Sequence, residues 1–446
     1  MRILRFVLIT SVVTVGCGDD VPSPSDPIAD ATVDRSSCTP TAESCDGLDN
    51  DCDSAIDEGE ADDLGCGAGR CEGGRCTCPS DQMCGSQCVD LATNPEHCGR
   101  CGRRCEDQLS CRTATCCAPD GGKMDLLFVV DNSDTMEEEQ TLLAQQVPVM
   151  IETLVTGDTN RDGTPEFTGV TDLQVGIVST DMGNLGNMVP GCLVDTGDDG
   201  ILSMRGGAND CMATYPKVVS YRGSVPALSM EVACKAQLGN RGCGFEQPLE
   251  AALKALMPST GRLRFFQDST GHGDGENQGF LREDSILGVV FITDEDDCSA
   301  RDPDLFDEDS DTYRTAFGLR CYLEPTGLHP LGRFMNAILD LRSPEDLFVA
   351  VVGGVPRELV VDTPNFTTIL MDDRMAIEVD ASAPQGIRSA CRTPAGSAVP
   401  SRRLIQTLAD LENRDVPVAL TSICDADYPG LLRPLIPRLR QVPACP

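Results

Sequence analysis

The stretch that decides the fold is residues 126–136, LLFVVDNSDTM, in which five large apolar residues run directly into a polar turn. Four more apolar runs follow it, at residues 173–179, 286–293, 347–352 and 416–422. Uninterrupted apolar runs are typical of parallel strands covered on both faces, whereas a strand with one solvated face alternates between apolar and polar residues. The runs therefore predict a parallel sheet with helices on both sides.

Helical patterns separate these runs. They occupy residues 136–154, 245–256, 331–341, 402–411 and 431–440. Strands that alternate with helices predict an α/β fold with a doubly wound, mostly parallel sheet, here over residues 118–446. Three long segments interrupt the alternation and are interpreted as insertions that form ordered surface loops. They are residues 181–243, 295–330 and 354–400.

The polar turn after the first apolar run offers three oxygen ligands. Asp131, Ser133 and Thr135 place a carboxylate and two hydroxyls at alternate positions, where all three can point at one centre. Such partly neutral oxygen ligands suit Mg²⁺, with Mn²⁺ or Ca²⁺ as alternatives. Ligands of doubly wound sheets bind beyond the carboxyl ends of strands, where the strand order reverses. Asp294, which follows the run at 286–293, would converge with Asp131 if the two strands are neighbours.

These two segments resemble a known family. FVVDNSDTM at residues 128–136 resembles the DxSxS motif of the metal-ion-dependent adhesion site of von Willebrand factor A domains, and VVFITDEDD at 289–297 resembles their later strand and aspartate. The resemblance covers roughly residues 124–442. It implies a Rossmann-like sheet with a divalent cation at its top edge, where an acidic group of a protein partner can complete the coordination.

Carried onto this chain, the resemblance makes Asp131, Ser133 and Thr135 the ligands of the first loop and Asp294 the late carboxylate, which often acts through water. Thr135 replaces the usual serine but keeps the hydroxyl. The family's threonine before a helix is absent from FEQPLEAAL at 245–253, where Glu246 is the nearest oxygen donor. Its charge would make the site more like a calcium site or reduce the need for a partner's carboxylate. The alternative is a turn that only caps a helix and holds no metal.

A second acidic loop resembles the start of an EF-hand-type calcium loop. Oxygen donors stand at its positions one, three and five: Asp158, Asn160 and Asp162. Gly163 follows at position six and Glu166 at position nine, as in that motif. Position twelve is Gly169 instead of the bidentate glutamate, so any calcium affinity should be modest. A polar turn between a helix and a strand is the alternative.

A third acidic loop, CDGLDNDCDSAIDE at residues 45–58, resembles an Asp/Asn-rich metal-binding repeat of bacterial surface proteins. Within residues 45–60 its candidate ligands are Asp49, Asp51, Asp53 and Asp57. Ser54 stands where an EF-hand needs glycine, so the loop is not an EF-hand. With three histidines in the whole chain and no tryptophan, calcium is favoured over copper. The alternative is an acidic turn pinned by disulfides.

The chain has 25 cysteines, which argues for an oxidising compartment. Fifteen lie within residues 38–117, a segment with few large aliphatic residues, so we expect disulfides to hold it together. Nine lie between 192 and 445. Because both counts are odd, complete pairing within one chain requires an odd number of bridges between the two regions. We predict one from Cys116 or Cys117 to Cys445, and a local bridge between Cys298 and Cys321.

The amino terminus predicts export. Arg2 and Arg5 precede a short apolar stretch at residues 6–15, which is too short to span a membrane and is typical of a signal peptide, here residues 1–16. Gly16 followed by Cys17 resembles the lipobox of bacterial lipoproteins, which implies lipidation of Cys17. Thr14 departs from the usual leucine, so cleavage by the ordinary signal peptidase stays open.

Residues 17–37, rich in proline, serine and aspartate, are interpreted as a disordered tether. The protein would then be lipid-anchored at the outer membrane or cell surface, with a periplasm-facing or secreted form as alternatives.

The charge limits the partners. Asp and Glu number 71 against 35 Lys and Arg, a net charge of −36, which disfavours binding to nucleic acid and anionic lipid. The acidity also keeps an exported protein soluble. The chain contains no HExxH, GxxxxGK[ST] or GxSxG motif.

We therefore predict no enzyme but a cell-surface adhesion module, which binds a divalent cation and through it a protein or matrix ligand with an acidic group. A calcium-stabilised structural protein and a hydrolase hidden in the insertions are the alternatives.

Overall fold

The computed structural model describes residues 40–59, 66, 69–78, 83–84, 87–105, 110–112, 114–117, 122–167, 169–189, 191–192, 196–207, 211–283, 285–361, 364–393, 396–425, 429–436 and 439. The predicted signal peptide, Cys17, the tether and Cys445 lie outside these residues. None of the helices in the described ranges is both long and apolar enough to cross a membrane.

The chain divides into two compact units, residues 1–89 and 90–446. The first unit contains two small hairpins, which pair Arg70–Cys71 with Cys76–Thr77 and Met83–Cys84 with Gln87–Cys88. Its disulfides include Cys45–Cys71, Cys66–Cys76 and Cys78–Cys88. The second unit begins with a hairpin of Ser110–Arg112 and Thr115–Cys117, beside the disulfide Cys98–Cys111. The disulfide-rich, irregular region predicted before the sheet is thus confirmed.

The main sheet has six strands. They are β1 Lys123–Val130, β2 Asp172–Ser179, β3 Val219–Ser220, β4 Ile286–Ile292, β5 Leu347–Gly353 and β6 Val418–Ser422. Their order is β3-β2-β1-β4-β5-β6, and all neighbours are parallel except β3, which is antiparallel to β2. This is the order of a Rossmann-like doubly wound sheet, with its switch point between β1 and β4. The predicted fold class is confirmed.

Helices cover both faces of this sheet. The main ones are α1 Glu137–Thr156, α2 Val225–Ala236, α3 Pro248–Leu256, α4 Gly332–Leu341, α5 Phe366–Met371 and α6 Arg402–Glu412. Shorter helical turns are Phe266–Asp268, Pro303–Phe306, Phe317–Leu319, Arg320–Leu323, Pro325–Gly327, Pro344–Asp346, Arg357–Leu359, Asp373–Met375 and Pro429–Leu432. Two hairpins pair Val379–Asp380 with Ala383–Ile387 and Cys391–Thr393 with Gly396–Ala398.

Successive side chains of β1 point to opposite faces, as in any strand. Leu127 and Val129 pack with α3, α4 and α6 in one core, whereas Leu126 and Phe128 pack with α1 and α2 in the other. Both cores are apolar, and this explains why the strand is apolar at every position from Leu126 to Val130.

The insertions contain more regular structure than the sequence suggested. Residues 181–243, interpreted as a surface loop, contain β3 and α2. Helix α2 starts with a Ser224 cap, whose hydroxyl accepts a hydrogen bond from the Ala227 N–H, and it buries Leu228 and Val232 in the core shared with α1. Residues 354–400 contain α5 and two hairpins. Burial in the tertiary structure therefore stabilises helices and strands in segments whose hydrophobic pattern was too short to predict them.

The helix predicted at residues 431–440 is wrong at its start. The chain forms a 3₁₀ turn at Pro429–Leu432 and then an irregular turn. Pro434 explains the difference, because proline lacks the N–H that a helix interior needs and its ring clashes with the preceding turn.

Among the described residues of the sheet domain, four disulfides form: Cys192–Cys243, Cys211–Cys234, Cys298–Cys321 and Cys391–Cys424. The predicted bridge between Cys298 and Cys321 is confirmed. Because Cys391 and Cys424 pair with each other, neither can bind Cys445. The bridge from Cys445 to Cys116 or Cys117 stays a prediction.

An arginine clamps the amino ends of the central strands. Arg282 Nε donates to the fully buried Asp125 of β1 (2.8 Å), and its Nη1 donates to Asp172 of β2 (2.6 Å). The Arg282 N–H and the Ser285 hydroxyl also bind the Asp125 carboxylate, at 2.7 and 2.5 Å. The carboxylate is therefore buried with a full set of partners.

We predict that Arg282→Leu lowers the free energy of unfolding by about 3–5 kcal/mol, because it leaves the buried Asp125 charge without its counter-ion. The double variant Asp125→Leu/Arg282→Leu should regain part of this loss. The exposed Arg314 provides the control, and Arg314→Gln should change stability by less than about 0.5 kcal/mol. Urea denaturation measures all three. A double variant that is no more stable than Arg282→Leu would contradict a stabilising role of the Asp125–Arg282 ion pair.

Candidate metal centre

The register of the sheet brings the ends of β1 and β4 together. Val130 pairs with Ile292, so the residues that follow the two strands emerge side by side at the carboxyl edge of the sheet. The Asp131 N–H donates to the Ile292 carbonyl (2.9 Å), and the Thr293 hydroxyl donates to Asp131 Oδ2 (2.6 Å). The adjacency on which the predicted site depends is therefore present.

The turn after β1 holds its three candidate metal ligands, Asp131, Ser133 and Thr135, close together. Asp131 is fully buried and its Oδ1 accepts a hydrogen bond from the Ser133 N–H (2.8 Å). The hydroxyls of Ser133 and Thr135 lie 3.2 Å apart. The Gln140 side chain, in the first turn of α1, donates to the Asp131 carbonyl (2.7 Å) and so fixes the turn against the helix. Ser133 is buried, whereas Thr135 is exposed.

Two further carboxyls reach the same region. Asp294 is 4% exposed and Glu246 is 1% exposed. One oxygen of each, Asp294 Oδ1 and Glu246 Oε1, is buried and has no hydrogen-bond partner among the described residues. The Glu246 carboxyl shares a hydrogen bond with Glu295, which also accepts one from the Tyr322 hydroxyl (2.9 Å).

These carboxyls repel one another. Burial raises the pKa of Asp131 to about 6, and Glu295 adds to the shift. Burial, followed by the charges of Asp131 and Glu295, raises the pKa of Asp294 to about 9. The pKa of Glu246 is raised well above its ordinary value by burial, then by Glu295 and Asp131. Burial disfavours the ionised form of each carboxyl, and the like charges of its neighbours add to all three shifts.

No ion pair within the described ranges involves Asp131, Glu246, Asp294 or Glu295. A buried carboxylate needs a cation or several hydrogen-bond donors. Two of these four carboxyls instead leave an oxygen without a partner. An oxygen-only set of carboxylates and hydroxyls suits a hard divalent cation, which would let the group ionise. The residues present therefore fit a metal.

The next two acidic residues of the run DEDD have a different role. Asp296 accepts hydrogen bonds from the Arg403 N–H at the start of α6 (2.9 Å to each oxygen). Asp297 accepts from the Leu249 N–H at the start of α3 (3.1 Å) and from the Arg403 guanidinium (3.0 Å). These two carboxylates therefore cap helices. Helix capping without a metal was the alternative that the sequence left open for the proposed site.

Sequence reasoning missed Glu139 and Glu295. Glu139 is the only buried member of three glutamates in the first turn of α1, its Oε2 has no partner in the described part of the chain, and its charge helps to raise the pKa of Asp294. The run of three glutamates beside the DxSxT turn was the available signal, but only packing reveals which one turns inward.

Comparisons with known proteins add little to this geometry. No protein-family model and no curated protein matches the chain. Among solved structures, two of the proximal thread matrix protein 1 from the mussel byssus are similar to it over 71% of this chain, at 11% identity, with TM-scores of 0.29 and 0.26. The second has a zinc-occupied MIDAS motif. The chain spans about half of the length of that protein, 48%. Similarity of this degree supports no conclusion about function. The functional argument therefore depends on the geometry of the site alone.

The second acidic loop is exposed and closed by its own backbone. The Asp158 oxygens accept from the N–H groups of Arg161 (2.6 Å) and Gly163 (2.8 Å), and Asn160 Oδ1 accepts from the Asp162 N–H (2.9 Å). Glu166 accepts from the Thr159 N–H (2.6 Å). These bonds hold an acidic turn in place, and calcium binding there stays a prediction.

In the third loop, carboxyl oxygens of Asp49, Asp51 and Asp53 lie within 4.8 Å of one another. A second group of the same kind joins Asp51 to Glu43 and Glu58, which the sequence interpretation left out. Asp57 instead accepts from the N–H groups of Asp46 and Gly47, at 2.9 Å each. Calcium binding at this loop stays a prediction too.

The pKa shifts predict a pH dependence of the cation-free protein. The folded-state pKa values of Asp131 and Asp294, about 6 and about 9, exceed the ordinary value of 3.8. Between pH 4 and 9 the folded chain therefore holds protons that the unfolded chain has released, so raising the pH favours unfolding. In EDTA the melting temperature should fall across this range, and a saturating divalent cation should reduce the slope.

Asp294→Asn is the matched variant, because it removes a buried carboxyl whose pKa is raised to about 9. It should reduce the slope throughout pH 4 to 9, because folded Asp294 keeps its proton over this whole range, and the slope that remains below pH 6 includes the share of Asp131. Scanning calorimetry in EDTA at several pH values measures this. A variant that keeps the full slope above pH 6 would disprove the assignment.

Proposed function

We propose that this chain is an exported binding module with a von Willebrand factor A-like domain, which holds a divalent cation and through it binds an acidic group of a protein or matrix partner. The ligands would be Asp131, Ser133, Thr135, Asp294 and Glu246. One observation carries the proposal: three buried carboxyls and the half-buried Glu295 gather near the carboxyl edge of β1 and β4, the switch point of a doubly wound sheet, and none of them has an ion-pair partner among the described residues.

The donor set bears on the choice of metal. Carboxylates and hydroxyls without nitrogen or sulfur favour Mg²⁺, Mn²⁺ or Ca²⁺ over softer metals. Glu246 supplies a charged carboxylate where a neutral hydroxyl would leave more positive charge on the metal, and this favours Ca²⁺. Thr135 and Asp134 are the exposed members of the first loop, so a partner's carboxylate would approach from their side.

A structural role is the second candidate, and the burial of the site favours it. Glu246 and Glu295 could satisfy the cation from within the chain, which would then be a calcium staple. The two functions differ in one respect: an adhesion site needs an open coordination position, and a staple does not.

We propose no enzymatic activity. One group of side chains resembles a hydrolytic site, since Lys254 Nζ donates to the Ser269 hydroxyl (2.8 Å) and Asp199 binds both Lys254 and His272. The Ser269 hydroxyl, however, donates to the Phe266 carbonyl (2.7 Å). Lys254 is ion-paired with Asp199, so Ser269 has no base beside it, and the group supports the loop structurally.

The chain's disulfides indicate an oxidising compartment. The lipid anchor at Cys17, and with it a position at the outer membrane or cell surface, belongs to the proposal.

We predict that Asp131→Ala weakens binding of the tightest divalent cation at least about 100-fold while the fold persists, because Asp131 lies beyond the end of β1 and is the only buried carboxylate of the first loop. Titration calorimetry with Mg²⁺, Mn²⁺ and Ca²⁺ on the mature chain measures it. Asp162→Asn, in the exposed second loop, is the control and should leave this binding event intact. Equal affinity of wild type and Asp131→Ala for the cation would show that Asp131 is not a ligand and would disprove the proposed site.

The partner is tested on the same proteins. Wild type should capture a ligand from an extract of the organism's cell surface with the divalent cation present and release it in EDTA, and Asp131→Ala should capture none. Glu246→Thr, which restores a neutral hydroxyl, should lower the affinity for Ca²⁺ but keep or increase capture. Binding of the cation without any cation-dependent capture would favour the structural role.

We also predict that Cys17 carries the lipid. Cys17→Ser should move the protein from the membrane fraction to the periplasm or medium, because a lipid chain is the only anchor proposed. Mass spectrometry of the mature amino terminus and cell fractionation measure this. An unacylated wild-type protein that begins at another residue would show that the anchor is absent.

A further inference from the structure

A cavity of about 260 Å³ lies between the start of α3, the loop around Phe265 and the insertion that contains Ala300. Its wall is mixed, and the apolar part is formed by Met182, Leu185, Phe265, Phe266, Ala300 and Pro303. None of the proposed metal ligands lines it. At this volume, toward the small end of ligand cavities, it suits a ligand about as large as one amino-acid residue.

A buried donor faces this cavity. Gln247 lines it and is 1% exposed, and its Oε1 accepts a hydrogen bond from the Ala300 N–H (3.2 Å). That bond sets the orientation of the amide, because only the oxygen can accept from an N–H. The Nε2 is then left buried with no hydrogen-bond partner in the described ranges. A buried donor without an acceptor is costly, and an acceptor oxygen of a ligand would satisfy it.

The charges around the cavity favour an anion. Its two carboxylates are already neutralised: Glu250 accepts two bonds from Arg333, at 2.9 and 2.7 Å, and Asp199 pairs with Lys254 and His272. The carboxylates in the lining therefore do not repel an anionic ligand.

Within the described part of the chain, each of the two lining arginines leaves some guanidinium donors without a partner. Arg264 donates through Nη1 to backbone carbonyls, and its nearest carboxylate is the exposed Asp268, 3.7 Å from Nε. Arg301 donates through Nη2 to the Thr326 carbonyl (2.8 Å). Two guanidinium groups beside one cavity contrast with a chain whose net charge is −36. A guanidinium has five donors arranged to bind a carboxylate.

We propose that this cavity binds a small organic carboxylate with an apolar body and a second acceptor oxygen. The apolar body packs against Phe265 and its neighbours, the carboxylate binds Arg264 and Arg301, and the acceptor oxygen binds Gln247 Nε2. An N-acylated amino acid with an apolar side chain has this chemistry, and so has the C-terminal residue of a peptide. The site is separate from the metal centre and does not depend on it.

Titration calorimetry on the mature chain in EDTA tests the proposal with N-acetyl-L-leucine and N-acetyl-L-leucinamide. The acid should bind and the amide should bind at least about tenfold more weakly, because the amide lacks the charge that pairs with the arginines. A pentapeptide that ends in leucine, with a free or an amidated carboxyl terminus, distinguishes the sources. Tighter binding of the free-ended peptide than of the acid identifies a peptide terminus, and binding of the acid alone identifies a small metabolite.

The variants test the residues. Arg264→Gln/Arg301→Gln should weaken binding of the acid at least about tenfold, and Arg314→Gln, an exposed arginine outside the cavity, should not. Gln247→Leu should weaken binding similarly; if it does not fold, the arginine variants decide. Melting temperatures check the fold of each variant. Absence of saturable binding, equal binding of acid and amide, or unchanged binding by the double arginine variant would each overturn the proposal.

Discussion

The parallel pairing of β1 with β4 is the constraint on which the rest of the structure depends. Because Val130 and Ile292 are in register, Asp131 and Thr293 leave the sheet side by side and join through a 2.6 Å hydrogen bond. The strand order reverses at this pair, so the connections on either side run in opposite directions and leave an open crevice between them. A shift of one residue in this register would send every side chain of β1 to the opposite face and separate the carboxyls.

Two cores make this register stable, and they also determine where charge can be buried. The large apolar residues of β1 and β4 are buried on both faces of the sheet. The loops at its carboxyl edge also bury Asp131 and Glu246. There the acidic run 294–297 divides. Asp296 and Asp297 meet helix N–H groups and an arginine, whereas Asp294 and Glu295 point toward other carboxyls. The same residue type is thus used for capping and for a proposed metal site within four positions.

The insertions position the site as well as cover it. Residues from 185–192, from 243–245 and from 298–328 form a small core of their own around the disulfides Cys192–Cys243 and Cys298–Cys321. Phe245 stacks on Phe306, with the ring centroids 4.5 Å apart, directly before Glu246 in the chain. Tyr322 reaches back from the same insertion to Glu295. Long loops with few aliphatic residues gain order from such bridges, and here that order extends to the carboxyls.

The sequence by itself determined the sheet, because fully buried strands must be apolar at every position and runs such as 126–130 and 286–292 state this locally. It also determined that Asp131 and Asp294 each follow the end of a strand, since strand–turn order is a property of the chain, whereas the pairing of these two strands came from the sheet topology. Only the tertiary structure decided that Glu139 and Glu295 turn inward, that Glu246 lies beside Asp131, and that Asp296 and Asp297 cap helices. Carboxylates have no local signal for their partners: each role depends on which distant N–H, arginine or like charge packing brings within a few ångströms. The local pattern was also misleading in two segments. Burial against α1 orders helix α2, and a proline prevents a regular helix directly after residue 432.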